Sequence, residues 1–411
     1  MAPQRGSQVR GRAGRLAVLA AGAALLAACV PPPPPPPPPQ PVAGYCAASV
    51  PNSAPSYQAA FDALRHTYTE WASADESVAA NLPDGRVVWI FDDTSVGHVF
   101  ADGTLDPSNS LVHNSFVVQD GACFTPLMGG VPLARTSLIP NPGPSVWYWP
   151  TSAVVDPATD QLRVFALRVE KTGGASLDLS VLDTEVATFS LPSLAFVGLQ
   201  PLPFPTNTFA FGSSSFDDTT NPAQPEVYLY VQNNCNTYVA RAAADQVLSG
   251  PWTFWNGSAW VALSDPTQAA PVDWIGLPSS YSPPSGLSSL LCTAASPPPG
   301  NGPRAQPGVI AYGSSYLLTS KLADAFTNDV SVFTGPSPAG PWSYVNQIAD
   351  TTLTNTIAYG AYTTLTLPGT SGPVTVYNTN VSPFVSNPPP STIQTYGPHF
   401  VVPDPAVFPK P

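Results

Sequence analysis

Positive charge is scarce in this chain: 14 lysines and arginines stand against 26 acidic residues among 411. Four of those arginines fall in residues 1–15, a stretch without an acid. Beyond residue 28, ten basic residues face 26 acidic ones, a formal charge of −16. Such a chain is a poor partner for nucleic acid or anionic lipid headgroups, which are bound through Lys and Arg. Cysteine is sparse as well, and no two form a Cys-x-x-Cys pair, so a zinc centre is not expected. There is no Gly-x-Ser-x-Gly, no His-Glu-x-x-His and no phosphate-binding loop. Serine hydrolase, zincin and nucleotide enzyme are thereby disfavoured, and neither a metal nor an organic cofactor is implied.

What is present begins with an export signal. The basic start leads into Leu16 to Ala28, an Ala/Leu-rich run of signal-core length and too short for a comfortable membrane span. It ends in Leu26-Ala27-Ala28-Cys29, the lipobox pattern of an aliphatic residue, two small residues and a Cys. A thiolate at Cys29 takes the diacylglycerol, whose chains hold the protein by burying methylenes at about 0.8 kcal/mol each. Ordinary signal cleavage, leaving Cys29 as a free thiol, is the plainer reading. Nine prolines follow, Pro31 to Pro39. They form polyproline II at about 3.1 Å per residue, a stiff rod of roughly 28 Å. A ligand for a proline-binding module is the rival reading; the position behind the anchor favours a spacer. The expected division is a signal peptide over 1–28, lipidated Cys and spacer over 29–44, a β-domain over 45–404 and a tail over 405–411. The expected place is the outer face of the cell membrane, with the lipid as its membrane contact.

The mature chain reads as all-β. Ser, Thr, Asn, Gly, Pro and aromatics are plentiful, and short apolar runs alternate with turn signals. Strands are expected over 86–91, 111–118, 153–155, 162–167, 227–231, 238–241, 309–319, 330–333, 363–367 and 374–377. Only 57–70 has apolar residues at helical spacing: Tyr57, Phe61, Leu64 and Tyr68. Gly250-Pro251-Trp252 and Gly340-Pro341-Trp342 echo one another, each after a strand and before an aromatic-rich strand. Repeated strand–turn–Trp units point to a propeller, with a pair of β-sandwiches as the alternative. Cys46, Cys123, Cys235 and Cys292 allow up to two disulfides in three connectivities, against free buried thiols.

The segment from Asp75 to Thr94 carries the chemistry. Pro83-Asp84-Gly85 is a turn signal, so its flanks should pair as a hairpin. With Asp84 at the turn centre, Asp75 and Asp93 face one another, Cβ atoms about 5 Å apart. A two-residue turn on Asp84-Gly85 shifts the register and the faces. Opposed carboxylates repel, and a fold seldom keeps them without use. Glycoside hydrolysis uses such a pair, one protonated toward the leaving group and one ionised. The plainer reading has Asp93 ending a strand and Asp75 solvated.

The same run resembles the opening motif of the bacterial propeller families of domain of unknown function 4185, associated with glycoside hydrolase family 183, and its neighbour 5005. Further matches are Val112-His113-Asn114-Ser115, Tyr148-Trp149-Pro150, Tyr238-Val239-Ala240-Arg241, the turn at Gly340 and Tyr396-Gly397-Pro398-His399-Phe400. In order, they span nearly the whole mature chain. The resemblance implies a five-bladed β-propeller with its site at the channel mouth, and endo-acting hydrolysis of D-arabinofuranose chains of a cell wall. It places the two acids on Asp75 and Asp93. Two departures stand out: Thr151-Ser152-Ala153 replaces a Gly-Asp-Gly of relatives, and Asp92 stands where a Gly precedes the Asp-Thr. A sugar-binding propeller without activity is therefore the alternative function.

His113, Asn114, Tyr148 and Trp149 are candidates for substrate contact, since flat rings complement the C–H face of a furanose. A His on a buried strand is more often a core residue, and part of the run Trp147 to Trp149 must be core. Asp217, Asp218 and Glu226 could supply a third-sheet acid but read better as solvated loop residues. Asp156 and Asp160 read as turn formers. The expected partner is polysaccharide, and the expected oligomeric state is a monomer.

Overall fold

A computed structural model describes residues 40–41, 44–67, 70–156, 158–174, 178–233, 236–278, 307–322, 329–350, 355–364, 367–382 and 388–401. The signal segment, Cys29, the proline run, Cys235, Cys292 and the tail lie outside them.

The chain is nearly all β, in a succession of sheets that are antiparallel but for one parallel edge pair, Trp274–Ile275 with Trp342–Asp350. The first sheet is built on Val78–Asn81, Val87–Phe91, Ser115–Asp120 and Cys123–Val131, with short strands added at its outer edge. The second runs Val146–Asp156, Gln161–Lys171, Leu179–Ser190, Ala195–Pro201. The third begins with Ser214–Asp218, Glu226–Asn233 and Asn236–Ala243. The fourth begins with Gly308–Tyr312, Ser315–Ser320 and Asp329–Gly335. The last comprises Thr356–Thr364, Val374–Val381 and Gly397–Val401.

The opening strands of successive sheets touch in turn: Val78–Asn81 with Val146–Asp156, then Ser214–Asp218, Gly308–Tyr312 and Thr356–Thr364. The last strand returns to Trp71–Ala74 near the start, where Ser73 donates its hydroxyl proton to the Tyr396 carbonyl. The arrangement is propeller-like, and the core lies as apolar wedges between adjacent sheets. One wedge joins Val88, Ile90 and Phe116 of the first sheet to Leu162, Val164 and Phe189 of the second. Another joins Phe165 and Val186 to Leu229, Phe211 and Phe254.

One helix, Ala54–Thr67, seals the junction between the first and last sheets. Pro55 suits its first turn, where its missing N–H costs nothing. Tyr57, Phe61 and Leu64 form its buried stripe, and the Phe61 ring sits 5.3 Å from those of Trp89, Phe124 and Phe400. Burying an aromatic ring of this kind contributes on the order of 2–3 kcal/mol. The helix starts earlier than its apolar periodicity indicates, and Tyr68 lies outside the described residues. Buried Arg65 donates to the Ile393 carbonyl at 2.8 Å, tying the helix to the C-terminal segment.

Two expected strands each prove to be two. The run 309–319 is a hairpin turning at Gly313, whose φ of 60° lies in the left-handed region. The run 111–118 breaks at His113-Asn114 into Ser110–Val112 and Ser115–Asp120. Of the strand expected over 363–367, Thr363 and Thr364 end the strand Thr356–Thr364, and residues 365–366 lie outside the described residues. The Gly-Pro-Trp echo has a structural counterpart: both glycines have positive φ (69° and 77°), both proline bonds are cis, and both Trp side chains are buried. Cys46 and Cys123 face one another across paired strands and form a disulfide.

Candidate functional site

The turn at Pro83-Asp84-Gly85 determines where the acids lie. Gly85 adopts a φ of 88° and donates to the Leu82 carbonyl, while Leu82 donates to that of Arg86. The pairs Asn81–Val87, Val78–Ile90 and Ala74–Thr94 all have Asp84 at their centre. In that register Asp75 donates its N–H to the Asp93 carbonyl at 2.8 Å, and Asp92 donates to that of Asp75 at 3.1 Å. Both side chains line one open cleft of about 700 Å³. Its other walls come from residues 104–111 and from the 388–391 segment, held together where Leu105 donates to the Ser391 carbonyl at 2.9 Å.

The two carboxyls sit in different surroundings. Asp75 is 9% exposed. Tyr359 donates its hydroxyl proton to Asp75 Oδ1, and Asn380 Nδ2 lies 3.3 Å from Oδ2. Burial raises the Asp75 carboxyl well above the usual carboxylate range, against the Tyr359 hydrogen bond; the charges of Asp93 and Glu76 raise it further. Asp93 is the more open, its side chain 23% exposed. Two ring nitrogens converge on its Oδ1, His113 Nδ1 at 2.8 Å and Trp149 Nε1 at 2.9 Å. The Trp149 N–H donates to that oxygen, and the His113 tautomer sets which partner donates in the other bond. The His113 ring in turn stacks on Trp147, centroids 4.3 Å apart and 13° from parallel. Tyr396 donates to the Asp93 carbonyl at 2.7 Å.

Two more carboxyls adjoin the pair. Asp92 is also 9% exposed, its Oδ1 has no hydrogen-bond partner, and burial raises it well above the usual range. Glu76 extends into a small polar cavity lined by the second to last sheets through Thr151, Ser214, Gly308 and Gly360. Burial pushes its carboxyl up to about 7. Among the described residues no group of His, Cys, Asp and Glu is arranged to hold a metal ion. A cluster of this kind can hold a proton on one carboxyl while a neighbour stays charged, the division that acid-assisted hydrolysis needs.

Of the six side chains expected in the domain's site, Asp75 and Asp93 line the same cleft, and His113 and Trp149 bond the Asp93 carboxyl. Asn114 is fully buried. It donates to the Ile139 and Tyr148 carbonyls and accepts from the Ile139 N–H, so it clamps strands together away from the cleft surface. Tyr148 is 4% exposed and donates to Glu185 at 2.8 Å within the second sheet. Asp156 pairs with Arg163 at 2.6 Å. Glu226 accepts from Tyr228 and Arg241 within the third sheet, and Asp218, on a strand of that sheet, accepts from Tyr316 of the fourth. Asp217 is instead partly buried, which pushes it up to about 6. Tyr359 and Asn380 carry no signal in the sequence. Tyr396 has one, its place at the head of the closing Tyr-Gly-Pro-His-Phe string.

The fold is similar to that of a candidate hydrolase from Bacteroides ovatus, at 19% identity and a TM-score of 0.61, covering 83% of this chain and 88% of that one. Fainter likenesses reach two sugar-cleaving enzymes. One is a glycoside hydrolase family 43 β-1,3-galactosidase with galactodeoxynojirimycin (10% identity, TM-score 0.47, 89% and 97% covered). The other is an exo-β-1,3-galactanase from Phanerochaete chrysosporium with β-1,3-galactotriose (12% identity, TM-score 0.41, 81% of this chain covered). The chain spans 63% of that enzyme's length. No curated protein matches in sequence. Residues 58–402 match the family described as Domain of unknown function (DUF5005), and the chain belongs to that family.

Proposed function

We propose that this protein is a glycoside hydrolase, related to family 183, that cleaves furanoside polysaccharide such as the D-arabinan of a cell wall. In this reading the sheets are five blades, and the cleft is the mouth of their central channel. Asp75 is the acid and gives its proton to the glycosidic oxygen of the leaving sugar. Asp93 is the charged partner, aimed by His113 and Trp149. The observation that carries the reading is the contrast between two carboxyls in one open cleft, one buried under a tyrosine and one more exposed beside the His113 ring and the Trp149 N–H.

The location belongs to the same proposal. A lipid on Cys29 holds the protein on the outer face of the membrane, and the proline rod carries the domain toward a polymeric wall. A monomer needs nothing from a second copy, since the described site is built within one chain.

A second reading is a carbohydrate-binding protein without activity. It is favoured by Thr151-Ser152-Ala153, which stands where relatives carry Gly-Asp-Gly and so lacks the acid. Both hydroxyls donate to the Gly212 carbonyl, at 2.7 and 3.1 Å. Incubation with D-arabinan and arabinogalactan decides between the two. The hydrolase releases oligosaccharides, and Asp75→Asn and Asp93→Asn each abolish the release. Retained polysaccharide with no release by the native protein would leave the binder.

A further inference from the structure

The cleft walls contributed by residues 104–111 and 388–391 carry aliphatic side chains: Leu105, Pro107, Leu111, Pro388 and Pro390. Leu111 is 53% exposed. A single exposed leucine says little by itself; its place in the ladder says more. Thr94–Val96 pairs with Trp71–Ala74 on one side and Ser110–Val112 on the other, with Ser95 opposite Leu111. Paired residues share a face of a sheet, and their neighbours along the strand point the other way. Val96 and Val112 enter the core beneath the helix. Ser95 and Leu111 therefore project from the opposite face, into the cleft that both line. Two residues on from each lie Asp93 and His113, bonded to one another at 2.8 Å. No more than about 7 Å of backbone thus separates Leu111 from that bond.

The charge of the cleft is one-sided. Its lining includes Asp75, Asp93 and Asp106, and among the described residues it includes no Lys or Arg. Asp106 Oδ1 accepts from the Ser108 N–H at 2.8 Å and from the Ser108 hydroxyl at 2.6 Å. Those bonds hold its carboxyl below the usual carboxylate range, so Asp106 stays charged. A uronate, sulfate or phosphate entering here meets negative charge with no cation to answer it. Tyr148 and Trp149 are not in the lining, and their polar atoms are committed to Glu185 and Asp93. We infer that the cleft takes an uncharged saccharide chain, with the C–H face of one sugar seated on Leu111 and Pro107, and that Asp106 turns anionic chains away; the premise is that this cleft is the saccharide site proposed above.

The test is affinity electrophoresis of the full mature chain in gels that each hold one polysaccharide, a readout that needs no cleavage. Arabinan, galactan and xylan are the uncharged probes, and polygalacturonate is the anionic one. At least one uncharged chain should retard the native protein, and polygalacturonate should not. Succinyl esters on the retained polymer should weaken retention about three- to tenfold relative to acetyl esters at equal density. The difference should fade in salt of about 1 M, where charges are screened within about 3 Å, and Asp106→Asn should narrow it. Leu111→Ala should weaken retention by the plain chain about tenfold with an unchanged melting temperature, and Leu111→Met should restore most of it. Retention by polygalacturonate, full affinity in Leu111→Ala, or no retention by any uncharged chain overturns the inference. Cleavage is scored apart. A chain retained but not cut ends the hydrolase reading and leaves the seat at Leu111 standing; retention by galactan and not by arabinan ends the furanoside reading alone.

Discussion

Tyr359 donates its hydroxyl proton to Asp75 across 284 residues of sequence, the first strand of the last sheet closing on the loop that opens the first. The N-terminal half of the site is therefore finished only when the C-terminal sheet docks. Asn380 and Tyr396, from the same end of the chain, complete the enclosure.

Removing that hydroxyl should separate positioning from packing. Tyr359→Phe keeps the ring, so the melting temperature should change little. Losing a hydrogen bond to a carboxyl costs about 1.5–3 kcal/mol, and turnover on furanoside polymer should fall about ten- to a hundredfold. Steady-state kinetics beside a thermal melt measures both. Unchanged turnover would remove Tyr359 from the mechanism.

Trp149 gives a matching test at Asp93. Trp149→Phe leaves a ring but no N–H to reach Oδ1, and kcat should drop about tenfold with KM nearly constant. A rise in KM alone would make Trp149 a sugar platform instead of an aiming residue.

The acid cluster has a stability cost with a defined sign. Glu76 is raised from 4.5 to about 7, so the folded state holds its proton longer than the unfolded one. A carboxyl of this kind weakens the fold fully above its folded value and not at all below its unfolded one. Glu76→Gln should therefore raise stability at pH 8, by up to about 3 kcal/mol, with the gain gone by pH 4. Urea denaturation at the two values reads it, and an equal gain at both would show that the carboxyl's charge is not the cause.

The disulfide between Cys46 and Cys123 closes a loop with a sequence separation of 77. Cross-linking over that length restricts the unfolded chain, and its loss costs about 2–4 kcal/mol. Replacing both cysteines with Ser should lower the urea midpoint and steepen the slope, because the unfolded chain without the cross-link exposes more surface.

Cys29 is tested in the cell. Cys29→Ala should move the protein from the membrane fraction to the soluble exported fraction, since the acyl chains are its only proposed hold. Retention in the membrane fraction would end the anchor proposal.

Much of this protein follows from local rules. Pro83-Asp84-Gly85 marks a turn, and of its two registers the one centred on Asp84 brings Asp75 opposite Asp93. The period of Tyr57, Phe61 and Leu64 likewise suffices for the helix and its buried stripe. Alternating apolar runs suffice for an all-β chain. Each of these is decided within a few residues by backbone sterics and side-chain spacing.

The surroundings of the two acids are not local. His113 sits in a string that reads more readily as core than as a substrate contact, and only the tertiary packing puts it on Asp93 together with Trp149 of the second sheet. Asn114, its neighbour, is taken instead by the backbone of Ile139 and Tyr148. The hydroxyl on Asp75 arrives from residue 359 because the sheets close on themselves, and no spacing in the chain encodes that distance. So the sequence by itself determined that two carboxyls would be opposed. Closure of the fold decided which one is buried and which lies open, because burial depends on what the rest of the chain packs over each of them.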